Sequence, residues 1–186
     1  RLMISSDIHG SSYYAKLFFE KVKQEKPDKI LLLGDIYYHG PRNPFPKDYA
    51  PMEVAAILNQ NKDNIVVIKG NCDSEVDQMV SDFTFIEGFF VVQLEGRKLV
   101  CVHGHKMDKE DLPEINKGDI IAYGHYHTGL IENKNGVIYI NPGSLALPKE
   151  EATNSYIILD RHNIELKDIN GNLLKKYSYE LETLQI

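Results

Sequence analysis

The stretch Ile30-Leu31-Leu32-Leu33-Gly34-Asp35 decides how the rest of the chain is read. Four consecutive apolar residues without alternation describe a strand buried on both faces, as in the middle of a layered α/β structure. Gly34 allows a sharp turn where the run ends, and Asp35 follows at once. A carboxylate is thereby set at the carboxyl end of a central strand, where open α/β sheets bind their ligands. Outward from this stretch the pattern recurs in four more places. Leu2-Met3-Ile4 leads to Asp7 and His9, and Ile65-Val66-Val67-Ile68 leads to Gly70-Asn71-Cys72-Asp73. Leu99-Val100-Cys101-Val102 leads to His103-Gly104-His105, and Ile120-Ile121-Ala122-Tyr123 leads to Gly124-His125-Tyr126-His127. If these strands lie side by side, all five turns meet at one edge, and Asp35, central in the array, is the carboxylate best placed to serve two metal ions.

The segments between the strands change character along the chain. A strand to Ser6 is followed by a helix over about residues 12–25, capped by Ser11 or Ser12, with Tyr14, Leu17, Phe18, Lys21 and Val22 as its mostly apolar face. Pro27 ends that helix. Residues 37–49 carry Pro41, Pro44 and Pro46 and read as loop. A second helix runs from about Pro51 to Asn59, and a short helical stretch covers Glu75 to Val80. From there strands dominate: a hairpin turning at Glu95-Gly96, another within Ile131 to Ile140 at Lys134-Asn135-Gly136, a third over Ser155–Asp160 and Ile164–Ile169, and a last strand near Leu173 to Tyr179. Two packed sheets with helices outside fit this order better than a single Rossmann-like sheet.

The bulk properties narrow the function classes. A chain of 186 residues reads as one domain with a sizeable core. Net charge is −6, with Lys and Arg scattered, which argues against a broad basic face for duplex nucleic acid. No apolar run approaches the roughly 20 residues that span a bilayer. The N-terminus opens on a buried-strand pattern without a signal-peptide h-region, so a cytoplasmic protein with no membrane partner is expected. Two cysteines do not make a disulfide framework. Cys101, inside an apolar run, reads as a small buried hydrophobe. Cys72 lies among candidate ligands.

Those candidates are Asp7, His9, Asp35, Asn71, His103, His125 and His127. Carboxylate and amide oxygen with several imidazoles make a borderline donor set, suited to Mn, Fe, Zn, Ni or Co rather than Ca or Mg. Seven donors exceed the need of one tetrahedral ion, and two ions sharing a carboxylate are the economical arrangement for hydrolysis. Singly, Asp-x-His or Gly-Asp is an ordinary turn; the conjunction after five strands is what carries the reading. His162 and His39 read as surface residues, His39 with a substrate-pocket role open, and His105 as a neighbour of the ligands. Arg42 is a candidate phosphate clamp, because guanidinium matches two oxygens at once.

In this order, Asp-x-His, Gly-Asp, Gly-Asn-x-Asp, His and Gly-His-x-His resemble the metal motifs of the calcineurin-like metallophosphoesterases, over essentially the whole chain. His39-Gly40-Pro41-Arg42-Asn43, the Gly70 to Met79 segment and Asn141-Pro142-Gly143-Ser144 look more narrowly like the bacterial YfcE-type phosphodiesterases. The resemblance implies one metallophosphoesterase domain over residues 1–186, a four-layer αββα sandwich of two mixed β-sheets flanked by helices. It implies two divalent ions, Mn2+ foremost with Zn2+, Fe2+ and Ni2+ as alternatives. Asp7, His9, Asp35 and His127 would hold one; Asp35, Asn71, His103 and His125 would hold the other. Asp35, Asn71, Cys72 and His103 are the implied catalytic residues, with Asp73 orienting a neighbour. Many members of the family have His where this chain has Cys72; a thiol is a poorer acid for the leaving oxygen.

The activity expected is hydrolysis of a small phosphodiester by a hydroxide bridging the two ions. The alternatives are a catalytically weak protein-binding scaffold on the same fold, as in a retromer coat subunit, and a phosphomonoesterase or cyclic-nucleotide hydrolase. A homo-oligomer is left open.

Overall fold

A computed structural model describes residues 1–108, 110–149 and 151–179. Residues 180–186, the end of the expected domain, lie outside the described residues. The chain runs β1 (Leu2–Ser5), α1 (Ser12–Glu25), β2 (Lys29–Leu32), α2 (Pro51–Asn59), β3 (Ile65–Ile68), α3 (Glu75–Met79), β4 (Phe85–Ile86), β5 (Phe89–Leu94), β6 (Arg97–Val102), β7 (Ile120–Tyr123), β8 (Gly129–Lys134), β9 (Val137–Pro142), β10 (Ser155–Leu159), β11 (Asn163–Asp168) and β12 (Leu173–Ser178). Two sheets form, one of seven strands in the order β12-β11-β10-β1-β2-β3-β4 and one of five in the order β5-β6-β7-β9-β8. Strands β1, β2, β3 and β4 are mutually parallel, as are β6, β7 and β9, while the hairpin partners run antiparallel. Both sheets are therefore mixed, in the metallophosphoesterase arrangement.

The unbroken apolar runs are explained by which face each residue serves. Side chains alternate across a strand. Met3, Ile30, Leu32, Val67, Tyr156 and Ile158 point to the layer formed by Phe18 of α1 and Val54 and Leu58 of α2. Their neighbours Ile4, Leu31, Leu33, Ile68 and Ile157 point the other way, against Leu99, Cys101, Ile120, Ala122, Ile138 and Ile140 of the five-stranded sheet. A strand between two cores has no polar face to show, which is why Ile30–Leu33 does not alternate. Cys101 is fully buried in this intersheet layer.

Three details differ from the sequence expectation. The five ligand-bearing strands do not share one sheet: β1, β2 and β3 lie in the larger sheet, β6 and β7 in the smaller. Their turns converge because the parallel strands of both sheets finish at the same end of the sandwich. On α1 the fully buried face is Ser12, Ala15, Phe18 and Phe19, with Tyr14, Leu17 and Val22 only at its margin. Lys21 stays outside that face and bonds the Asn170 carbonyl. Finally, Val100, Val102 and Ile121 on the outer face of the five-stranded sheet are covered by Met107, Leu112 and Ile115 from an irregular segment, where the sequence suggested a helical layer. Ser11, one of the two proposed caps, accepts the Tyr14 N–H, and Asn135 (φ 54°) and Gly136 (φ 89°) make the Asn-Gly hairpin turn. Among the described residues no helix is long and apolar enough to cross a membrane.

Candidate metal centre

Each turn after a parallel strand is held by the turn beside it. Asp7 N–H donates to the Gly34 carbonyl (3.0 Å), His9 N–H to that of Asp35 (2.9 Å) and Gly10 N–H to that of Ile36 (2.8 Å). Asp7, His9, Asp35, His125 and His127 all have positive φ, between 49° and 64°. That left-handed backbone costs an L-residue roughly 1–2 kcal/mol, and such strain gathers where a side chain must be aimed rather than merely packed. The turns also need glycines. A Cβ on Gly70 would collide with the Asp35 carboxylate, and one on Gly124 would collide with the Ser6 hydroxyl and lie 2.8 Å from Asp7 Oδ2. Both carboxylates are thus seated against bare backbone.

Three histidines are locked in the same way. Nδ1 of His9 faces the Tyr38 carbonyl at 2.7 Å, Nδ1 of His103 that of Leu33 at 2.6 Å, and Nδ1 of His127 that of Leu147 at 2.6 Å. A carbonyl only accepts, so each Nδ1 carries a proton and each ring turns its Nε2 inward. His9 Nε2 and His127 Nε2 stand 3.2 Å apart, and Asp7 Oδ1 lies 3.1 Å from the latter and 3.5 Å from the former. Asp7 Oδ1 is buried and has no hydrogen-bond donor among the described residues. Three ligand atoms converging in one buried spot fit a cation.

Ligand atoms gather in three overlapping groups, each within 4.8 Å: Asp7, His9 and His127; His9, Asp35 and Cys72; and Asp35, His103 and His125. Asn71 joins the last through Oδ1, 3.0 Å from His103 Nε2. All seven candidates from the sequence are brought to one end of the sandwich, with Asp35 common to both flanks. The electrostatics agree with a centre that wants positive charge. Burial opposes ionisation of Asp7, yet His127 and His9 beside it hold its carboxyl well below the usual range. Burial opposes a charge on His103, but Asp35 and Asp7 overcome it and raise His103 to about 9. His125 shifts the other way, through burial and repulsion by His103.

Support for these groups comes partly from residues the sequence reading left with little to do. The Asp73 carboxylate accepts the N–H groups of Asp35 (2.8 Å), Ile36 (2.8 Å) and Gly70 (2.7 Å), pinning the Asp35 turn to the Gly70 turn. Asn141 donates to the Gly124 carbonyl (2.9 Å), and Ser144 donates to the Asp7 carbonyl (2.8 Å) while accepting the Leu147 N–H (2.8 Å). The carbonyls of Leu33, Tyr38 and Leu147 leave no trace in a list of side chains. Cys72 is half-buried beside Asp35, its N–H donating to Asp35 Oδ1 (2.8 Å); burial and the Asp35 charge push its thiol up to about 12. As a proton donor it is poor.

A cleft of about 470 Å³ opens over the centre, lined by Pro41, Arg42, Asn43, His125, His127 and Lys149 together with Asp35, Asn71 and Cys72. Among the described residues neither Arg42 nor Lys149 has an ion-pair partner, and Lys149 had not been singled out. His39 stands outside this cleft, its ring set among those of Tyr38, Phe45 and Tyr49 at 4.5–5.2 Å. His105 is exposed, 5.4 Å from the His103 ring, and lines a second cleft of about 300 Å³ with Lys69 and Lys106. His162 is exposed and belongs to neither cleft.

Comparison with known proteins agrees with this geometry. Residues 1–163 match the calcineurin-like phosphoesterase superfamily domain. Phosphodiesterase YfcE of Escherichia coli is 38% identical over 170 residues, covering 91% of this chain and 92% of the relative. The solved structure of that phosphoesterase superposes with a TM-score of 0.91 at 35% identity, covering 95% of this chain and 98% of the other. Vacuolar Protein Sorting 29 from Cryptosporidium parvum superposes with a TM-score of 0.62 at 20% identity, covering 96% and 97%, and so shares the fold. The chain belongs to the calcineurin-like phosphoesterase superfamily.

Proposed function

We propose that the chain is a metal-dependent phosphodiesterase whose centre holds two divalent ions, one on each side of Asp35. The observation that carries this is the double membership of Asp35, which stands in the His9 group and in the His103 group. Asp7, His9 and His127 complete the first set, and Asn71, His103 and His125 the second. Two such ions, held by these residues, would supply Lewis acidity toward a water and offset charge on the phosphate oxygens. The donor set suits Mn2+ better than Mg2+, which prefers oxygen and keeps its waters.

The protein's own part is positioning. The carbonyls behind His9, His103 and His127 fix those rings with Nε2 turned inward, and Asp73 fixes the turn that presents Asp35. Arg42 and Lys149 line one cleft and would hold the ester arm that does not react. Cys72 beside Asp35 supplies no ready proton for a departing alkoxide. Diesters with an aryloxide leaving group, stable as an anion, should be turned over well and nucleotide diesters poorly; positioned acid catalysis is typically worth about 10²–10⁴-fold. The test is a screen of the chelator-stripped protein against diesters and monoesters with Mn2+, Ni2+, Zn2+ and Mg2+ added back. Aryl diester hydrolysis that returns with Mn2+ and not with Mg2+ supports the proposal. Absence of diester hydrolysis with every ion would turn the reading to a binding scaffold.

A further inference from the structure

We propose that the edge strand β5 of the five-stranded sheet docks a second copy of this chain, β5 pairing antiparallel with β5 across a twofold axis at Val92. Phe89-Phe90-Val91-Val92-Gln93-Leu94 is six residues long, carries no charge and contains neither Gly nor Pro. It ends its sheet, with β6 as its one partner there. Among the described residues no backbone hydrogen bond from outside that pairing reaches a β5 N–H. An antiparallel partner uses the N–H and C=O groups of alternate residues, so the rest of the row points away from the sheet unpaired. The other three edges are each protected. β4 is two residues long, and β8 carries Glu132 and Lys134. β12 carries Lys175 and Lys176, and its pairing with β11 shifts register after Leu166. Short length, charge and irregularity are the ordinary defences of an edge, and β5 has none of them.

A second copy is the occupant that the strand's own pattern fits. Phe90, Val92 and Leu94 pack toward the intersheet core and Val91 toward the outer face. A sheet continued by another β5 keeps these faces only where residues of the same face stand opposite each other, since a slip of one position turns every side chain over. Two central registers do this. One is centred on Val91 and sets Glu87 of each copy against Glu95 of the other, a like-charge contact at both ends. The other is centred on Val92, pairs Phe90 with Leu94 and Val91 with Gln93, and leaves Glu95 opposite Phe89. It sets no charge against a like charge, and both acids keep the cations they already hold, Lys69 on Glu87 (2.7 Å) and Arg161 on Glu95 (2.7 Å). With one such edge per chain among the described residues, the twofold pair uses both and closes at two.

Sedimentation velocity of the full chain tests this. One strand edge is small beside a standard interface of about 1,600 Å², so a monomer–dimer equilibrium with a Kd of roughly 10–100 µM is expected. Phe89 and Gln93 are exposed, and Phe89→Lys combined with Gln93→Lys charges the edge in both copies; this should weaken the dimer at least about tenfold. Leu174→Lys, exposed on β12, should leave it unchanged. Val92→Cys should link two copies under mild oxidation, because residues facing across the axis stand about 4.5–5.5 Å apart. The wild type, with Cys72 and Cys101 alone, should not link, and neither should Phe89→Cys. Circular dichroism of each variant confirms the fold. A chain that stays monomeric through that range overturns the proposal and leaves β5 to a strand of another protein. A dimer indifferent to the two lysines overturns it as well, because another face then carries the contact. Linking through Val91→Cys in place of Val92→Cys overturns the register.

Discussion

Asp7, His9 and His127 are 0%, 1% and 6% exposed, whereas across Asp35 His125 is half-buried and Asn71 is open to solvent. On the first flank every ring is clamped by a carbonyl and every backbone is left-handed. On the second, His103 is clamped but His125 and Asn71 line the cleft. In the proposed centre this difference would separate two tasks. A buried, pre-oriented half would lose little order on binding an ion and so hold it tightly, and an open half would leave positions for water and phosphate. Asp35 couples them.

The strongest way to break this division is to remove what the halves share. Asp35→Asn should lower kcat for an aryl diester by roughly 10³-fold or more, since metal chemistry supplies several kcal/mol, and it should reduce metal content at both positions. His125→Ala, on the open flank, should lose one ion and roughly 10–100-fold in activity. Equal effects of the two substitutions, or two ions retained in Asp35→Asn, would show that Asp35 does not bridge.

The buried half should be sensitive to volume. Gly124→Ala presses a methyl group on the Ser6 hydroxyl and the Asp7 carboxylate, and overpacking of this kind costs about 1–3 kcal/mol. Denaturant unfolding should show that loss; unchanged stability would mean that the turn yields without disturbing Asp7.

Acidity should sharpen the contrast on the other flank. In the metal-free protein Asp35 and Asp7, against burial, raise His103 to about 9, so below that pH an incoming ion must displace a proton. Affinity of the open half should therefore weaken as pH falls, by about tenfold per unit for one displaced proton. Calorimetric titration with Mn2+ between pH 6 and 8 measures the slope; a flat profile would mean that His103 is not a ligand.

The smallest effect concerns the support behind His127. Ser144→Ala removes the hydroxyl that ties the Asp7 carbonyl to the Leu147 backbone, worth about 0.5–1.5 kcal/mol in stability. Metal content should hold, because the Leu147 carbonyl remains. Loss of metal in this variant would show that the buried half depends on Ser144 more than the clamps suggest.

The sequence by itself marked the strands and the turns and named the seven candidate ligands. A strand packed on both faces must be apolar throughout, as in Ile30–Leu33, and a tight left-handed turn favours Gly, Asp, Asn and His, so both leave a local record. Only the tertiary structure decided that the turns come from two sheets, that Ala15 and Phe19 rather than Lys21 face the core, and that the Leu33, Tyr38 and Leu147 carbonyls set the histidines. It also decided that the Cys72 sulfur stands beside His9. The reason is physical. Side-chain pattern along a chain reports burial and local conformation, whereas a backbone carbonyl is the same at every residue, and its partner is chosen by how distant segments pack.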